Sequence, residues 1–207
     1  MVFFGVHPKS KRRFVVQSIE GGGWGGRPFE DGESATVSVC QGDVRNGSIE
    51  GIEMRCPVLV KGRALRRDSA GPGKFRGGLG IDLEVRNFVD GKWNFERANR
   101  RGCPAWGLWG GKPGESGGYY LRDPGRTEYR MMHGSHKPVT TDSEVIVRTG
   151  GGGGWGDPLA RTPEAVRWDV LEEFVSKKAA RDDYGVALRE DLSVDEAATR
   201  TLRQSLK

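Results

Sequence analysis

The chain has 207 residues, a length that suits one domain or a domain with a small appendage. Its 33 glycines are about twice the ~7% average and come in clusters without a collagen period, which excludes a triple helix and favours tight turns and close backbone approach. The 33 basic and 28 acidic residues are interleaved, and the only basic cluster is Lys9 to Arg13, so the pattern argues against a nucleic-acid-binding stripe.

The first part of the chain reads as a series of strands. Pro57 interrupts an apolar run over residues 49–65 and predicts either a break or an edge position there. Asp90 and Gly91 predict a hairpin turn, with the return strand starting at Trp93. Enrichment in β-branched and aromatic residues, or alternation of apolar and polar residues, predicts strands at residues 14–19, 34–39, 79–88 and 144–149.

The last 50 residues carry helix signals instead. Thr162 is a predicted N-cap with Pro163 at the first helical position. Ser176 predicts a second N-cap for a helix over residues 177–183, and a capping box starting at Ser193 opens a final amphipathic helix. We therefore predict an α+β fold, in which a β-rich body with glycine-rich loops (1–157) precedes a helical C-terminal region (158–207).

The cysteine pattern and the hydropathy of the chain indicate the cellular compartment in which the protein is expected. Cys40, Cys56 and Cys103 are widely spaced and form no CxxC, which argues against a disulfide framework or a structural zinc site. Free cysteines are typical of a reducing compartment. No stretch approaches the ~20 apolar residues of a membrane span, and the N-terminus has no apolar signal segment. We expect a cytoplasmic protein without membrane contact.

Each of two glycine clusters has two possible roles, a structural turn or a loop that lines a site. Consecutive amides at Gly150 to Gly154 could form a nest for a phosphate. The cluster lacks the Lys-Ser/Thr of a P-loop and no helix follows at once, so a structural turn is favoured and a site-lining loop is the alternative. The same two readings apply to Gly21 to Gly26. We expect Trp106 and Trp109, which lie among glycines, to pack over a loop.

Four stretches, taken in order, resemble the hydantoinase B/oxoprolinase (HyuB-type) family. One glycine motif alone is weak, but four at similar spacing form a specific match over about residues 14–188. The stretches are 21–28, 45–57 with Asn46 and Glu50, 65–80, and 149–159.

The resemblance implies a component of an ATP-dependent hydrolase that opens cyclic amides such as 5-oxoproline or hydantoins. Alternatives are a component of an ATP-dependent ketone carboxylase of the acetone or acetophenone type, and a non-catalytic assembly module. The expected partners are a HyuA-type ATPase, which would bind ATP, and an N-terminal HyuB portion, which could hold a divalent metal. Because that portion is absent here, we expect this chain to be inactive alone and assign it no metal.

The resemblance also selects candidate site-lining residues, without assigning a catalytic role to any of them. For Glu50 and Asp68, turn capping and ion pairing are the favoured roles. The candidates are Gly22, Gly23, Asn46, Glu50, Asp68, Arg76, Gly152, Gly153 and Asp157.

Overall fold

The computed structural model describes residues 2–37, 47–95 and 103–206. The strands are β1 (Val2–Val6), β2 (Arg13–Gln17), β3 (Val58–Leu65), β4 (Ile81–Asn87), β5 (Gly91–Phe95), β6 (Gly118–Arg122), β7 (Arg130–Met132), β8 (Gly134–Val139) and β9 (Glu144–Arg148). The helices are α1 (Ile49–Arg55), α2 (Pro163–Leu171), α3 (Lys177–Asp182) and α4 (Glu196–Ser205), with a 3-10 turn at Pro158–Ala160.

The strands form two antiparallel sheets, with orders β2-β1-β5-β8 and β3-β4-β9-β6-β7. Alternate residues of β4 are buried, including Ile81, Leu83 and Val85, as expected of a strand with one face on a core. Side chains of both sheets belong to one buried apolar cluster. At its centre the Trp93 ring stacks on Phe3, with ring centroids 5.3 Å apart. The predicted α+β class is confirmed.

The predicted strands at 14–19, 79–88 and 144–149 are confirmed as β2, β4 and β9. The predicted hairpin at Asp90 and Gly91 is wrong, because β5 leaves β4 and joins the other sheet between β1 and β8. Burial of Trp93 and Phe95 against aromatic rings of that sheet outweighs the local turn signal. Asp90 instead accepts a hydrogen bond from the Thr141 amide at 2.7 Å.

The region before β3 differs from the prediction in two places. The strand expected at 34–39 is wrong over the described residues 34–37, where only an isolated bridge from Gly22 to Thr36 forms; residues 38 and 39 lie outside the described ranges. The break at Pro57 and the edge position of β3 are confirmed. The residues before the break form helix α1, and the hydroxyl of Ser48 caps it by accepting from the Gly51 amide at 3.1 Å.

The helix starts predicted at Thr162 and Ser176 are confirmed, since each hydroxyl accepts from the amide three residues later. The cap of the last helix lies two residues beyond the predicted one: Asp195 is the cap, while the Ser193 hydroxyl donates to Asp191. Helices α2 and α3 share a second, smaller buried cluster with the segment that follows them. The domain boundary at 157/158 stays a prediction.

Candidate functional site

The glycine clusters lie side by side as extended segments, and their hydrogen bonds run between segments. The Gly23 amide donates to the Gly150 carbonyl at 2.9 Å, and the Gly26 amide donates to the Gly153 carbonyl at 2.8 Å. Successive hydrogen bonds between two segments are therefore three residues apart, and no backbone hydrogen bond forms within a segment. This pattern is that of a polyproline-II-type helix. We call this assembly the glycine bundle; its segments are 21–26, 31–36, 69–73, 75–80, 104–108, 111–115 and 150–155.

Segment 150–155 lies at the centre of the glycine bundle. The Gly151 and Gly154 amides donate to carbonyls of segment 111–115 at 3.0 and 2.9 Å. The Gly152 and Trp155 amides donate to carbonyls of segment 75–80 at 3.0 and 2.9 Å. Both neighbours are therefore contacted at every third residue. Gly151 to Gly154 are buried, and the turn expected at 150–154 does not form, because this segment is extended.

Backbone packing in the bundle requires glycine. A Cβ at Gly152 would lie 1.9 Å from the Trp24 carbonyl oxygen, and one at Gly77 would lie 2.0 Å from the Gly152 carbonyl oxygen. No side chain fits at such distances, as at the crowded axis of collagen. The Gly151, Gly152 and Gly154 amides are also engaged by neighbouring carbonyls, so these three donors do not fit the phosphates of ATP.

Four charged side chains join the glycine bundle to the C-terminal helices. The Arg161 guanidinium donates to both carboxylate oxygens of Asp31, each at 2.7 Å, and through Nε to Asp169 at 2.9 Å. Nε of Arg76 donates to Asp169 at 3.2 Å, and the Arg76 amide donates to Asp31 at 2.7 Å. Charge-assisted and bidentate bonds of this kind are the strong ones. We call these residues the ionic bridge.

The two carboxyl groups of the ionic bridge differ, since burial raises the pKa of Asp169 above its usual value despite the neighbouring charges of Arg161 and Arg76. Burial alone would raise the pKa of the Asp31 carboxyl, but the hydrogen bonds and positive charge of Arg161, with Arg76 beside it, hold that pKa below its usual value. Both guanidinium groups are buried, and Arg76 also stacks over the Phe174 ring. The arrangement is suited to holding α2 and the segment after it against the bundle.

The structure brings five predicted site residues into the glycine bundle: Gly22, Gly23, Arg76, Gly152 and Gly153. Their backbones or side chains are engaged within it, and their lining of a site stays a prediction. Four of the five are glycines. The fifth, Arg76, has a charged side chain, which lies in the ionic bridge.

The remaining candidates lie apart from the bundle centre. Asp68 accepts from the Ser176 amide at 2.7 Å and so fixes the start of α3, as its favoured capping role implies. Asp157 caps the 3-10 turn by accepting from the Leu159 amide at 2.9 Å. Glu50 is exposed in the first turn of α1. Asn46 lies outside the described residues.

Sequence reasoning missed three members of the ionic bridge: Asp31, Arg161 and Asp169. No local pattern joins them, since Asp31 and Arg161 are 130 positions apart. The expectation for Trp106 and Trp109 is wrong, because they are 66% and 80% exposed. Trp109 also has φ of 54°, a left-handed conformation that is unusual for a bulky residue.

Neither a metal cluster nor a membrane-spanning helix occurs in the described ranges. Across residues 2–37, 47–95 and 103–206, no group of three or more His, Cys, Asp and Glu side chains is placed to hold a metal ion. In the same ranges no helix has the length and apolar character needed to cross a bilayer.

The sequence comparisons identify the class of protein. The family model described as "Hydantoinase B/oxoprolinase" matches residues 1–158, so this chain belongs to the hydantoinase B/oxoprolinase family. A putative D-/L-hydantoinase B-type subunit of Pseudomonas sp. (strain NS671) is 34% identical over 92% of this chain and 32% of its own length. The beta subunit of the Pseudomonas jessenii caprolactamase is 31% identical over 91% of this chain and 33% of its own length.

Solved structures agree with this assignment. The ATP-dependent caprolactamase from Pseudomonas jessenii superposes with a TM-score of 0.81 at 28% identity, over 98% of this chain and 36% of that one. A nucleotide-free acetone carboxylase shares the fold, with a TM-score of 0.75 at 24% identity, over 99% of this chain and 32% of that one. The chain thus spans about a third of the length of the relatives it matches.

Proposed function

We propose that this chain is a component of an ATP-dependent cyclic amide hydrolase of the 5-oxoproline or hydantoin class. The observation that carries the proposal is the family match over residues 1–158, together with relatives that act on amides. The same relatives are named as subunits and are about three times as long. We propose that the chain acts together with the rest of a HyuB-type subunit and a HyuA-type ATPase, and that this assembly is cytoplasmic.

ATP is proposed to bind to the HyuA-type partner. The engagement of the central glycine amides within the bundle supports this division of labour. A divalent metal, where the assembly uses one, is assigned to the rest of the HyuB-type subunit. In this division the present chain contributes a rigid scaffold and a surface for assembly.

Exposed aromatic side chains support a role in assembly. Trp106, Leu108 and Trp109 are all exposed within four consecutive residues at the end of bundle segment 104–108. The backbone beneath them is fixed, since the Leu108 amide donates to the Gly154 carbonyl at 2.9 Å. Large exposed apolar side chains on a rigid support are typical of protein interfaces, where Trp is enriched at the centres of binding energy.

A ketone carboxylase component is the second candidate. The acetone carboxylase alpha subunit of Xanthobacter autotrophicus is 27% identical over 93% of this chain and 30% of its own length. The two amide-directed relatives are more similar, at 34% and 31% identity, which favours the hydrolase.

Reconstitution tests the proposal. The chain is co-expressed with a HyuA-type ATPase and the remaining HyuB portion, and the purified complex is assayed with ATP and either 5-oxoproline or acetone plus bicarbonate. The proposal predicts that all three components co-purify and that amide opening depends on ATP and on this chain. Carboxylation without amide opening would replace it with the second candidate. A complex that assembles and opens the amide equally well without this chain would contradict the proposal.

A further inference from the structure

Glycine gives the bundle many backbone contacts and few side chains to bury. The apolar cluster shared by the two sheets and the smaller cluster of the C-terminal helices are both formed by residues outside the bundle segments. A backbone hydrogen bond contributes only about 0.5–1.5 kcal/mol net. Glycine also loses more conformational freedom on folding than any other residue. Contacts from another part of the chain are therefore important for keeping the bundle closed.

The C-terminal helical region supplies such contacts. We call residues 158–206 the clasp. The clasp begins two residues after the central segment 150–155, so the chain itself joins it to the bundle centre. Through the ionic bridge it also binds segments 31–36 and 75–80, since the Arg161 side chain donates to Asp31 and Arg76 donates to Asp169.

Asp68 ties the clasp to segment 69–73, which it directly precedes. Its amide donates to the Phe174 carbonyl at 3.0 Å, and its carboxylate accepts from the Ser176 amide at 2.7 Å. Both bonds reach the turn between α2 and α3. This turn of the clasp is thus fixed against a direct neighbour of the bundle centre, because the Gly71 amide donates to the Gly152 carbonyl.

Lys112 ties the clasp to segment 111–115. Its Nζ donates to the Asp183 carboxylate at 2.8 Å, just after α3. The Lys112 carbonyl accepts from the Gly154 amide at 2.9 Å, so the same residue contacts both the clasp and the bundle centre. The clasp therefore connects the central segment and four others among the described bundle segments.

We infer that the clasp closes the glycine bundle, so that clasp and bundle open as one unit while the two-sheet core stays folded. Opening of the clasp removes the links between bundle segments, and the glycine backbones then regain their conformational freedom. The sheets keep their own apolar cluster and stay closed. The boundary of the opening unit then lies between the bundle and the sheets, rather than at the predicted 157/158. The inference goes beyond the proposed enzyme function and does not depend on it.

The wild-type chain of 207 residues provides the first test. Native-state amide hydrogen exchange is measured by NMR in increasing, sub-denaturing urea. The reporters are the Gly71 and Gly152 amides in the bundle, the Val186 amide in the clasp and the Asn87 amide in β4, each of which donates to a backbone carbonyl. We expect the bundle and clasp amides to share one free energy of opening and one urea dependence, with both values lower than those of Asn87.

Substitution in the ionic bridge provides the second test. Arg161→Met should make exchange at Gly71 and Gly152 about tenfold faster or more, because it removes a buried ionic link between clasp and bundle. Neither amide donates to Arg161, so a local effect would not reach them. Exchange at Asn87 should stay unchanged. Lys178→Met, which breaks an exposed ion pair within α3, is the control and should leave exchange at Gly71 unchanged.

Two results in the wild-type chain would contradict the inference. If the bundle amides share the opening of Asn87 while Val186 opens at a lower free energy, the clasp is an appendage that the bundle does not need. If all the reporters share one opening, the chain is a single cooperative unit. In the Arg161→Met variant, faster exchange confined to the clasp would also overturn it. Because the first test uses no substitution, it decides the question even where the variant does not fold.

Discussion

Arg161 and Asp31 lie 130 positions apart and meet through two parallel hydrogen bonds, each 2.7 Å long. Asp31 belongs to the glycine bundle, and Arg161 immediately precedes the cap of α2. The same guanidinium reaches the buried carboxylate of Asp169 within α2. One side chain thus connects the backbone-packed part of the molecule to its helical part.

Replacement of Arg161 should destabilise the chain strongly. Arg161→Met removes the bidentate partner of Asp31 and leaves the buried Asp169 with Arg76 alone, and removal of one partner from a buried ion pair costs about 3–5 kcal/mol. The free energy of unfolding is measured by urea denaturation. Lys178→Met, which breaks the exposed pair with Asp182, is the control and should leave the urea midpoint unchanged. Equal effects of the two variants would contradict a structural role for the ionic bridge.

Alanine should not be tolerated at the centre of the glycine bundle. Gly152→Ala places a Cβ 1.9 Å from the Trp24 carbonyl oxygen, and the strain should reach or exceed the upper end of overpacking costs, about 3 kcal/mol. Gly62→Ala is the matched control, because a Cβ there meets nothing within 4 Å. The thermal midpoints of the two variants are compared. A Gly152→Ala variant as stable as Gly62→Ala would refute the packing argument.

Stability should depend on pH through Glu144. Burial would raise the pKa of Glu144, but hydrogen bonds from Lys61, Tyr129 and Arg122 and the Arg122 charge lower it to about 2. A folded-state pKa below the unfolded one stabilises the fold above the unfolded value, and this contribution is lost as the pH falls through the folded value. Glu144→Gln should therefore cost more stability at about pH 6 than at about pH 3.

Urea midpoints of wild type and variant at the two pH values check this sign. Glu128→Gln removes an exposed carboxylate from the same part of the chain and serves as the control. A destabilisation by Glu144→Gln that is as large at the lower pH would mean that packing, rather than charge, explains its effect.

A substitution at Trp109 can distinguish a role of this residue in assembly from a role in folding. Glycine accepts the φ of 54° at this position, so Trp109→Gly should preserve stability or raise it by up to about 1–2 kcal/mol. The same change should weaken co-purification with the proposed HyuA-type and HyuB-type partners. Trp168→Ala removes another exposed indole, from α2, and is expected to leave co-purification intact. If both variants bind partners equally well, the Trp106–Trp109 surface has no role in assembly.

Local signals in the sequence predict the elements that local physics controls. The strand pattern of β4 and the caps at Thr162 and Ser176 depend on neighbours within a few residues, and all three predictions are confirmed. The break at Pro57 follows from its missing N–H and is also local. The family resemblance rests on motifs in order and is confirmed by the family match.

Long-range partners explain the failures. The hairpin prediction fails at β5 because Trp93 packs on Phe3, which is 90 positions earlier in the chain. The glycine clusters indicate close backbone approach, but only the structure shows which carbonyl each amide meets. The ionic bridge has no sequence pattern, since Asp31 and Arg161 are single charged residues in unrelated segments.

Amide hydrogen exchange at the central glycines tests the scaffold account most directly. The exchange rates of the Gly151, Gly152 and Gly154 amides are measured by NMR with and without ATP and Mg²⁺. We expect strong protection that nucleotide does not change, because these amides donate to buried backbone carbonyls. Rapid exchange in the free chain, with protection appearing on addition of ATP, would contradict it and identify the segment as a phosphate-binding loop.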